Sequence, residues 1–166
     1  MSVHQHFAAS NESYAATFTK GDLALPPAKR VVVVTCMDAR IEPASQLGIN
    51  LGDAHVIRNA GGVVKEALRS IVISQRLLGT HEVVVYHHTD CGMLTFTNEI
   101  IREKVNSETP GVAEIVDKID FLPFPHLEQS VKDDVKFLSE NPLLLPGTTV
   151  TGWVYDVKSG KVSKVA

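Results

Sequence analysis

The sequence predicts an α/β fold with a mostly parallel β-sheet and helices on both faces. Residues 31–35 form an uninterrupted β-branched run, which is typical of a strand buried on both sides. Strand-like and helix-like segments then alternate along the chain, and this order indicates parallel strands joined by right-handed crossovers. With 166 residues, the chain has the length of one ordinary domain. We therefore expect a single domain over residues 1–166.

An N-terminal arm, residues 1–28, precedes the first strand. Phe7, Tyr14 and Phe18 recur at spacings of seven and four residues, which predicts a helix that ends before Gly21 and Pro26. The apolar stripe of this helix is thin for packing in a core of its own. The arm is therefore either a loosely docked end of the chain or a segment that packs on a partner subunit.

The remaining elements follow in a regular order. Residues 54–57 predict a second strand, which a turn with Gly61 and Gly62 closes, and residues 63–78 have apolar positions at helical spacing up to Gly79. A third strand covers residues 82–88. Residues 96–105, 112–119 and 127–138 predict three further helices, residues 148–157 predict a strand, and residues 162–165 complete a C-terminal hairpin.

Composition excludes several classes of protein. Hydrophobic residues make up 44% and charged residues 21%, close to the globular average, so the chain should fold. A formal charge of −3 offers no basic excess for nucleic acid. No stretch approaches the roughly 18 apolar residues of a membrane span, and the first residues fit neither a secretory signal nor a transit peptide. We expect a cytosolic protein that binds neither nucleic acid nor membrane.

The sequence places metal-binding side chains at the ends of two strands. Cys36 follows the first strand, and His88 and Cys91 follow the third. Ligand sites of parallel sheets form beyond the carboxyl ends of the strands, so these three side chains should meet. Two sulfurs and an imidazole are donors that zinc accepts, and a zinc with three protein ligands keeps its fourth position for water or substrate. The pattern therefore favours a catalytic zinc.

A fourth ligand is available nearby. Asp38 lies two residues after Cys36 and is the nearest carboxylate in sequence. Arg40 lies two residues further on and could hold Asp38 in a bidentate ion pair. Asp38 is thus a candidate partner both for the metal and for Arg40.

Three motifs at consecutive strand ends resemble the β-class carbonic anhydrase family. They are Cys36-x-Asp38-x-Arg40, then Arg58-Asn59-Ala60-Gly61, then His88-x-x-Cys91. The similarity is strongest from residue 31 to residue 96 and is looser around Trp153, and the short length resembles the compact microbial branch of the family. The pattern departs from the common Cys-Ser-Asp-Ser-Arg form at Met37 and Ala39, which removes two hydroxyl groups near the site.

The resemblance implies a zinc enzyme that works as a homodimer or a multiple of dimers, with the N-terminal arm packed over the neighbouring subunit. It implies one zinc per chain on Cys36, His88 and Cys91, and a catalytic pair of Asp38 and Arg40. It also implies a closed, inactive state in which Asp38 is the fourth ligand.

The expected chemistry follows from the metal. Zinc lowers the pKa of bound water towards about 7 and so generates hydroxide, which attacks the carbon of a small linear molecule. Asp38 would orient the hydroxide, and Arg40 would keep Asp38 ionised. Gly61 and Gly62 are candidate pocket residues because their backbone can approach the cavity closely, although a tight turn alone would also explain them.

The leading function is reversible hydration of carbon dioxide. Some members of the family instead hydrolyse carbonyl sulfide or carbon disulfide on the same scaffold. The apolar Met37 and Ala39 slightly favour such a sulfur-bearing substrate. Two other classes stay open: a non-catalytic module with a closed structural zinc, and a redox protein in which Cys36 and Cys91 pair as a disulfide.

Overall fold

Five strands form one sheet in the structure, a computed structural model that describes residues 2–166. The strands are β1 (Val31–Cys36), β2 (Ala54–Asn59), β3 (Glu82–His88), β4 (Thr149–Tyr155) and β5 (Val162–Lys164). Their order is β2-β1-β3-β4-β5. The first four strands run parallel, and β5 pairs antiparallel with β4 as the predicted hairpin. The mostly parallel α/β fold is therefore confirmed.

Among residues 2–166, six α-helices connect or flank the strands. They are α1 (Phe7–Ala15), α2 (Pro43–Leu47), α3 (Val64–Leu78), α4 (Asn98–Glu108), α5 (Ala113–Val116) and α6 (Leu127–Ser139). None of the helices in residues 2–166 is long and apolar enough to cross a membrane. No sequence pattern predicted α2, which is only five residues long. The helix predicted at 112–119 is shorter in the structure.

The main core lies on one face of the sheet, beneath α3 and α6. Val32 and Val34 of β1 meet Val83 and Val85 of β3 there, and Ile71 of α3 packs against them without solvent exposure. The helical spacing in α3 buries one side of the helix against β1 and β2. This face holds the strands in register and so fixes where their carboxyl ends lie.

The opposite face of the sheet is covered unevenly. Near the carboxyl ends of the strands it carries a second apolar cluster that includes Tyr86 and Ile41. Further back an apolar groove of about 480 Å³ lies open. Its apolar lining includes Val31, Val33, Leu47, Ile49, Val84 and Trp153. The short α2 contributes Leu47 to the second cluster, so helices pack on both faces of the sheet, as predicted.

The N-terminal arm has no part in either core. No residue of α1, or of the 3₁₀ turn Val3–His6 before it, is buried. Phe7 and Tyr14 are both more than half exposed, and the ring of Tyr14 contacts only that of Phe18 among aromatic side chains of residues 2–166. The chain therefore presents an exposed aromatic helix and an uncovered apolar groove.

Candidate functional site

Three metal-binding side chains meet beyond the ends of β1 and β3. Cys36 is the last residue of β1, His88 is the last residue of β3, and Cys91 follows three residues later. All three are buried, and one donor atom from each lies within 4.8 Å of the others. The two Sγ atoms are 4.0 Å apart. Two thiolates on one tetrahedral zinc stand about 3.8 Å apart, given Zn–S bonds of about 2.3 Å. The spacing therefore fits zinc.

The ring of His88 is oriented as a metal ligand requires. Its Nδ1–H donates to the backbone carbonyl of Thr89 at 2.8 Å. This contact leaves the lone pair on Nε2, which is buried and has no hydrogen-bond partner. Metal-bound histidines typically donate their other ring N–H to a carbonyl or carboxylate in this way. A buried nitrogen beside two sulfurs is chemically satisfied by a metal ion.

The two cysteines are free thiols rather than a disulfide. Their 4.0 Å contact is about twice a disulfide bond. A hydrogen bond from Cys91 lowers the pKa of Cys36, and the same contact raises the pKa of Cys91, because one sulfur stabilises the other as a thiolate. The backbone N–H of Gly61 also donates to Cys36 Sγ, at 3.3 Å. This environment favours thiolate at Cys36, the form that binds metal.

Asp38 and Arg40 form the bidentate pair that their spacing suggested. Arg40 donates from Nε to Asp38 Oδ1 at 3.0 Å and from Nη2 to Oδ2 at 2.7 Å, and its backbone N–H donates to Oδ1 at 2.8 Å. These side-chain and backbone hydrogen bonds hold the pKa of Asp38 well below its usual range. Oδ2 lies 3.8 Å from His88 Nε2. Asp38 is therefore an ionised carboxylate beside the metal donors, with both oxygens engaged by Arg40.

Asp90 is a partner of Arg40 that the sequence reasoning did not find. Its carboxylate accepts from Arg40 Nη1 at 2.7 Å, and its backbone carbonyl accepts from Nη2 at 2.9 Å. Asp90 has a φ of 56°, a left-handed conformation that Asp tolerates better than most residues. The turn between His88 and Cys91 thus aims the side chain of Asp90 at Arg40.

Arg58 shapes the loop that carries Cys36 and Asp38. Its Nε donates to the carbonyl of Cys36 at 3.0 Å, and its Nη2 donates to the carbonyl of Asp38 at 2.7 Å. In the same region Met37 N–H donates to the carbonyl of Asn59 at 2.8 Å. Arg58 and Asn59 of the second strand-end motif therefore hold the backbone of the first motif in place.

The two glycines of the turn have different surroundings. Gly61 has φ 81° and lines the cavity beside the metal donors. Gly62 has φ 73° and does not line it: an added Cβ would lie 2.8 Å from the carbonyl carbon of Thr35. Gly61 therefore borders the cavity, whereas Gly62 packs against the backbone of β1.

A largely apolar cavity of about 410 Å³ opens onto the site. Cys36, Asp38 and Cys91 line its inner end. Its apolar walls come from Met37, Met93, Phe96, Ile101 and Phe121. Met37 belongs to the first strand-end motif, whereas the other four residues lie in the segment after β3, in α4 and in the segment before α6.

The part of the chain that matches a known family covers all of these residues. Residues 31–162 match the family model described as "Carbonic anhydrase". The chain belongs to the β-carbonic anhydrase family. As a member of this family it is a zinc-dependent enzyme, and the Cys-His-Cys cluster is the one group of three such donors found in residues 2–166.

Relatives of this β-carbonic anhydrase match it along nearly its whole length. The structure of a carbonic anhydrase from Glaciozyma antarctica has a TM-score of 0.96 and 50% identity, and the match covers 100% of both chains. β-Carbonic anhydrase 1 of Mycobacterium tuberculosis is 42% identical over 168 residues, 99% of each chain. A carbon disulfide hydrolase of an Acidianus species is 33% identical over 177 residues, 92% of this chain and 84% of that one.

Proposed function

We propose that this enzyme catalyses the reversible hydration of carbon dioxide to bicarbonate and a proton. The observation that carries the proposal is the carboxylate of Asp38, which Arg40 holds beside the Cys-His-Cys cluster with Oδ2 3.8 Å from His88 Nε2. The relatives support the same reaction, because those named carbonic anhydrase reach 42% and 50% identity and the carbon disulfide hydrolase reaches 33%.

Cys36, His88 and Cys91 are the residues that hold zinc, with His88 binding through Nε2. When bound, zinc lowers the pKa of a coordinated water towards about 7 and thus supplies a hydroxide nucleophile at neutral pH. The N–H of Gly61 and the carbonyl of Thr89 orient the ligand atoms of Cys36 and His88. Ligands fixed in this way need little rearrangement when the metal binds.

Asp38 orients the nucleophile by accepting its hydrogen bond. A carboxylate can do so only while it is ionised, and the hydrogen bonds from Arg40 ensure this. The same contacts draw both oxygens of Asp38 away from the metal donors and so favour the open, active arrangement over the closed one. Asp90 anchors Arg40 from the other side. Asp38, Arg40 and Asp90 therefore form a chain of three charged side chains, of which Asp38 lies beside the metal donors.

The cavity walls suit a small nonpolar substrate. Carbon dioxide carries no net charge and no hydrogen, so it gains little from polar walls and enters an apolar space without desolvating charged groups. Met93, Phe96, Ile101 and Phe121 provide such a space next to Asp38. Positioning the substrate carbon within reach of an oriented nucleophile is the main contribution of these walls.

Carbon disulfide or carbonyl sulfide is the second candidate substrate. The apolar wall, Met37 in place of a serine, and the carbon disulfide hydrolase relative all favour a sulfur-bearing linear molecule. These substrates are attacked at carbon in the same way, but their products are hydrogen sulfide and carbon dioxide.

Turnover of the three substrates on one zinc-quantified preparation tests the proposal. Proton release from carbon dioxide should exceed sulfide release from carbonyl sulfide and carbon disulfide across about pH 6.5 to 9, a range that brackets the pKa of zinc-activated water. Dominant sulfide release would instead assign the enzyme to carbonyl sulfide or carbon disulfide. No turnover of any substrate at full zinc occupancy would support the non-catalytic structural module.

We further propose that the enzyme is a homodimer, or a multiple of dimers, in which the arm of one subunit covers the open groove of the other. The exposed Phe7 and Tyr14 and the apolar groove are complementary features of one chain. Sedimentation should give a mass of at least two chains. Phe7→Asp should shift this mass towards one chain, whereas Ile115→Asp, at an equally exposed apolar position outside the arm, should not. An unchanged mass for Phe7→Asp would argue against an arm-mediated dimer.

The two free thiols in the metal cluster support a cytosolic location. Thiolate ligands persist as metal donors in a reducing compartment, whereas an oxidising one favours disulfides. Fractionation of the source cells should therefore recover the enzyme with cytosolic markers, and recovery with a secreted or membrane fraction would contradict this assignment.

A further inference from the structure

A buried polar cluster lies behind the metal donors, and the proposed mechanism does not use it. Its centre is His87, which is 1% exposed and precedes the metal-binding His88. His87 Nδ1 lies 2.9 Å from Ser130 Oγ, and Nε2 lies 3.2 Å from the carbonyl oxygen of Gly62 and 3.4 Å from Asp134 Oδ2. A buried imidazole with partners at both nitrogens is held rigidly.

The direction of one of these hydrogen bonds follows from its partners. The Gly62 carbonyl can only accept, and Asp134 faces the same nitrogen with a carboxylate oxygen. Nε2 of His87 therefore carries a hydrogen and donates it to this pair. The imidazole ring also stacks on Phe124, with centroids 5.4 Å apart and planes inclined by 16°. Helix α6, which contributes Ser130 and Asp134, thus reaches the glycine turn through His87.

The glycine turn in turn reaches the metal cluster. Gly61 and Gly62 both have positive φ, and neither has a side chain with which to fix the turn. The N–H of Gly61 nevertheless lies 3.3 Å from Cys36 Sγ. Three side chains hold the turn in place. His87 donates to the carbonyl of Gly62, and the side-chain amide of Asn59 bonds both the N–H and the carbonyl of Val63. Asp134 accepts a hydrogen bond from the N–H of Val64.

We propose that His87 is a positioning residue for the metal centre. Anchored by Ser130 and Asp134, it holds the carbonyl of Gly62 so that the N–H of Gly61 stays hydrogen-bonded to the sulfur of Cys36. An N–H donor withdraws electron density from a thiolate, so this bond tunes how strongly Cys36 donates to zinc. The inference rests on the proposed zinc ligands but not on which linear molecule is the substrate.

The variant that tests this role is His87→Phe, with His55→Phe as its matched control. Phenylalanine keeps the planar ring that stacks on Phe124 and removes both nitrogens. His55 is also a strand histidine whose Nδ1 contacts a serine, Ser74 Oγ at 2.7 Å. It pairs with Val32 in the sheet, four residues before the level of Cys36, roughly 13 Å from the metal cluster at about 3.3 Å per residue. Both variants remove a strand histidine that contacts a serine, but only His87 is connected to Gly61, through the carbonyl of Gly62.

Two readouts report on the metal rather than on turnover. The zinc dissociation constant is measured by competition with a chromophoric chelator, and the energy of the thiolate-to-cobalt charge-transfer band is measured on protein loaded with Co²⁺. For His87→Phe, zinc binding should weaken about 10- to 100-fold, as when other partners of metal ligands are removed, and the band should shift. For His55→Phe, the zinc affinity and the band energy should stay at their wild-type values, even if its melting temperature falls as much as that of His87→Phe.

The inference is overturned if His87→Phe keeps wild-type zinc affinity and band energy, or if His55→Phe changes them equally. Asp134→Asn provides a second variant that preserves side-chain volume, and it should shift both readouts in the same direction by a smaller amount. If His87→Phe does not fold, wild-type values for Asp134→Asn overturn the inference. If the wild type binds zinc and cobalt but does not turn over carbon dioxide, that result counts against the proposed function and not against the role of His87.

Discussion

Replacing Asp38 by Asn removes one negative charge from the site while preserving the size of the side chain. Oδ1 of Asp38 accepts from the Nε and the backbone N–H of Arg40, and Oδ2 accepts from Nη2 at 2.7 Å. An amide has one oxygen, so its NH₂ group must face a donor of Arg40 in place of one carboxylate oxygen. The variant therefore loses both the charge and the geometry that orient the nucleophile.

The expected loss in kcat/KM for Asp38→Asn is about 100- to 1,000-fold. Removing one preorganised hydrogen-bonding group from an active site costs about this much in rate. The loss corresponds to roughly 3 to 4 kcal/mol of transition-state stabilisation, at 1.36 kcal/mol for each factor of ten. Zinc content should stay at that of the wild type, because Asp38 is not among the three clustered donors.

Stopped-flow hydration of carbon dioxide with a pH indicator, on protein of known zinc content, measures this effect. Asp90→Asn is the matched control, since it removes a carboxylate that accepts one side-chain bond from Arg40 while the backbone carbonyl keeps the second contact. Its loss should stay below about tenfold, because an exposed ion pair contributes only about 0.2 to 1 kcal/mol. The reasoning is refuted if Asp38→Asn keeps kcat/KM within threefold of the wild type. It is also refuted if zinc and activity are lost in proportion, since Asp38 would then be a ligand.

Three further outcomes test the scaffold. Gly62→Ala should lower the free energy of unfolding by about 3 kcal/mol or more in urea titrations, because steric overlap with Thr35 adds to a left-handed φ, whereas Gly79→Ala, with the same φ of 73° and open space, should cost about 1 kcal/mol. Hydrogen bonds from the backbone N–H of Asn50 and, to a smaller extent, from Lys29 lower the pKa of Asp53. The ionised Asp53 therefore stabilises the folded protein above about pH 4, and this contribution is lost below it. On acidification, the melting temperature of Asp53→Asn should therefore fall by less than that of the wild type. An equal fall in the two proteins would contradict this. Removing zinc with a chelator should lower the melting temperature, because metal binds the native state, and adding zinc back should restore it; no change would argue against a metal held by the fold.

The positions of the zinc donors could be predicted because they follow from the order of the strands. Valine-rich runs at residues 31–34 and 83–85 indicate parallel strands, and parallel strands end at the same edge of a sheet. Cys36 and His88 then fall at neighbouring strand ends whatever the loops do. The pairing of Asp38 with Arg40 is similarly local, since they lie two positions apart in the sequence.

The remaining parts of the site depend on contacts that sequence patterns do not record. Phe96, Ile101 and Phe121 form the cavity wall, yet they come from segments whose relative placement is set only by tertiary packing. The contact between Asp90 and Arg40 spans fifty residues and depends on a left-handed turn. A positive φ at a non-glycine residue leaves a weak signal in sequence, so this interaction could be recognised only in the structure.

The geometry of the metal centre depends on the register in which β1 and β3 pair. Thr35 lies opposite Tyr86 in the register of β1 and β3, which places His88 one residue beyond the level of Cys36. A slip of one residue would move these donors by about 3.3 Å and turn alternate side chains to the other face. Zinc sites tolerate distance errors of only about 0.2 Å, so a misregistered sheet could not complete the site. The fraction of molecules that retain zinc is therefore a direct assay of correctly assembled β-sheet, and metal uptake during refolding would select the native register.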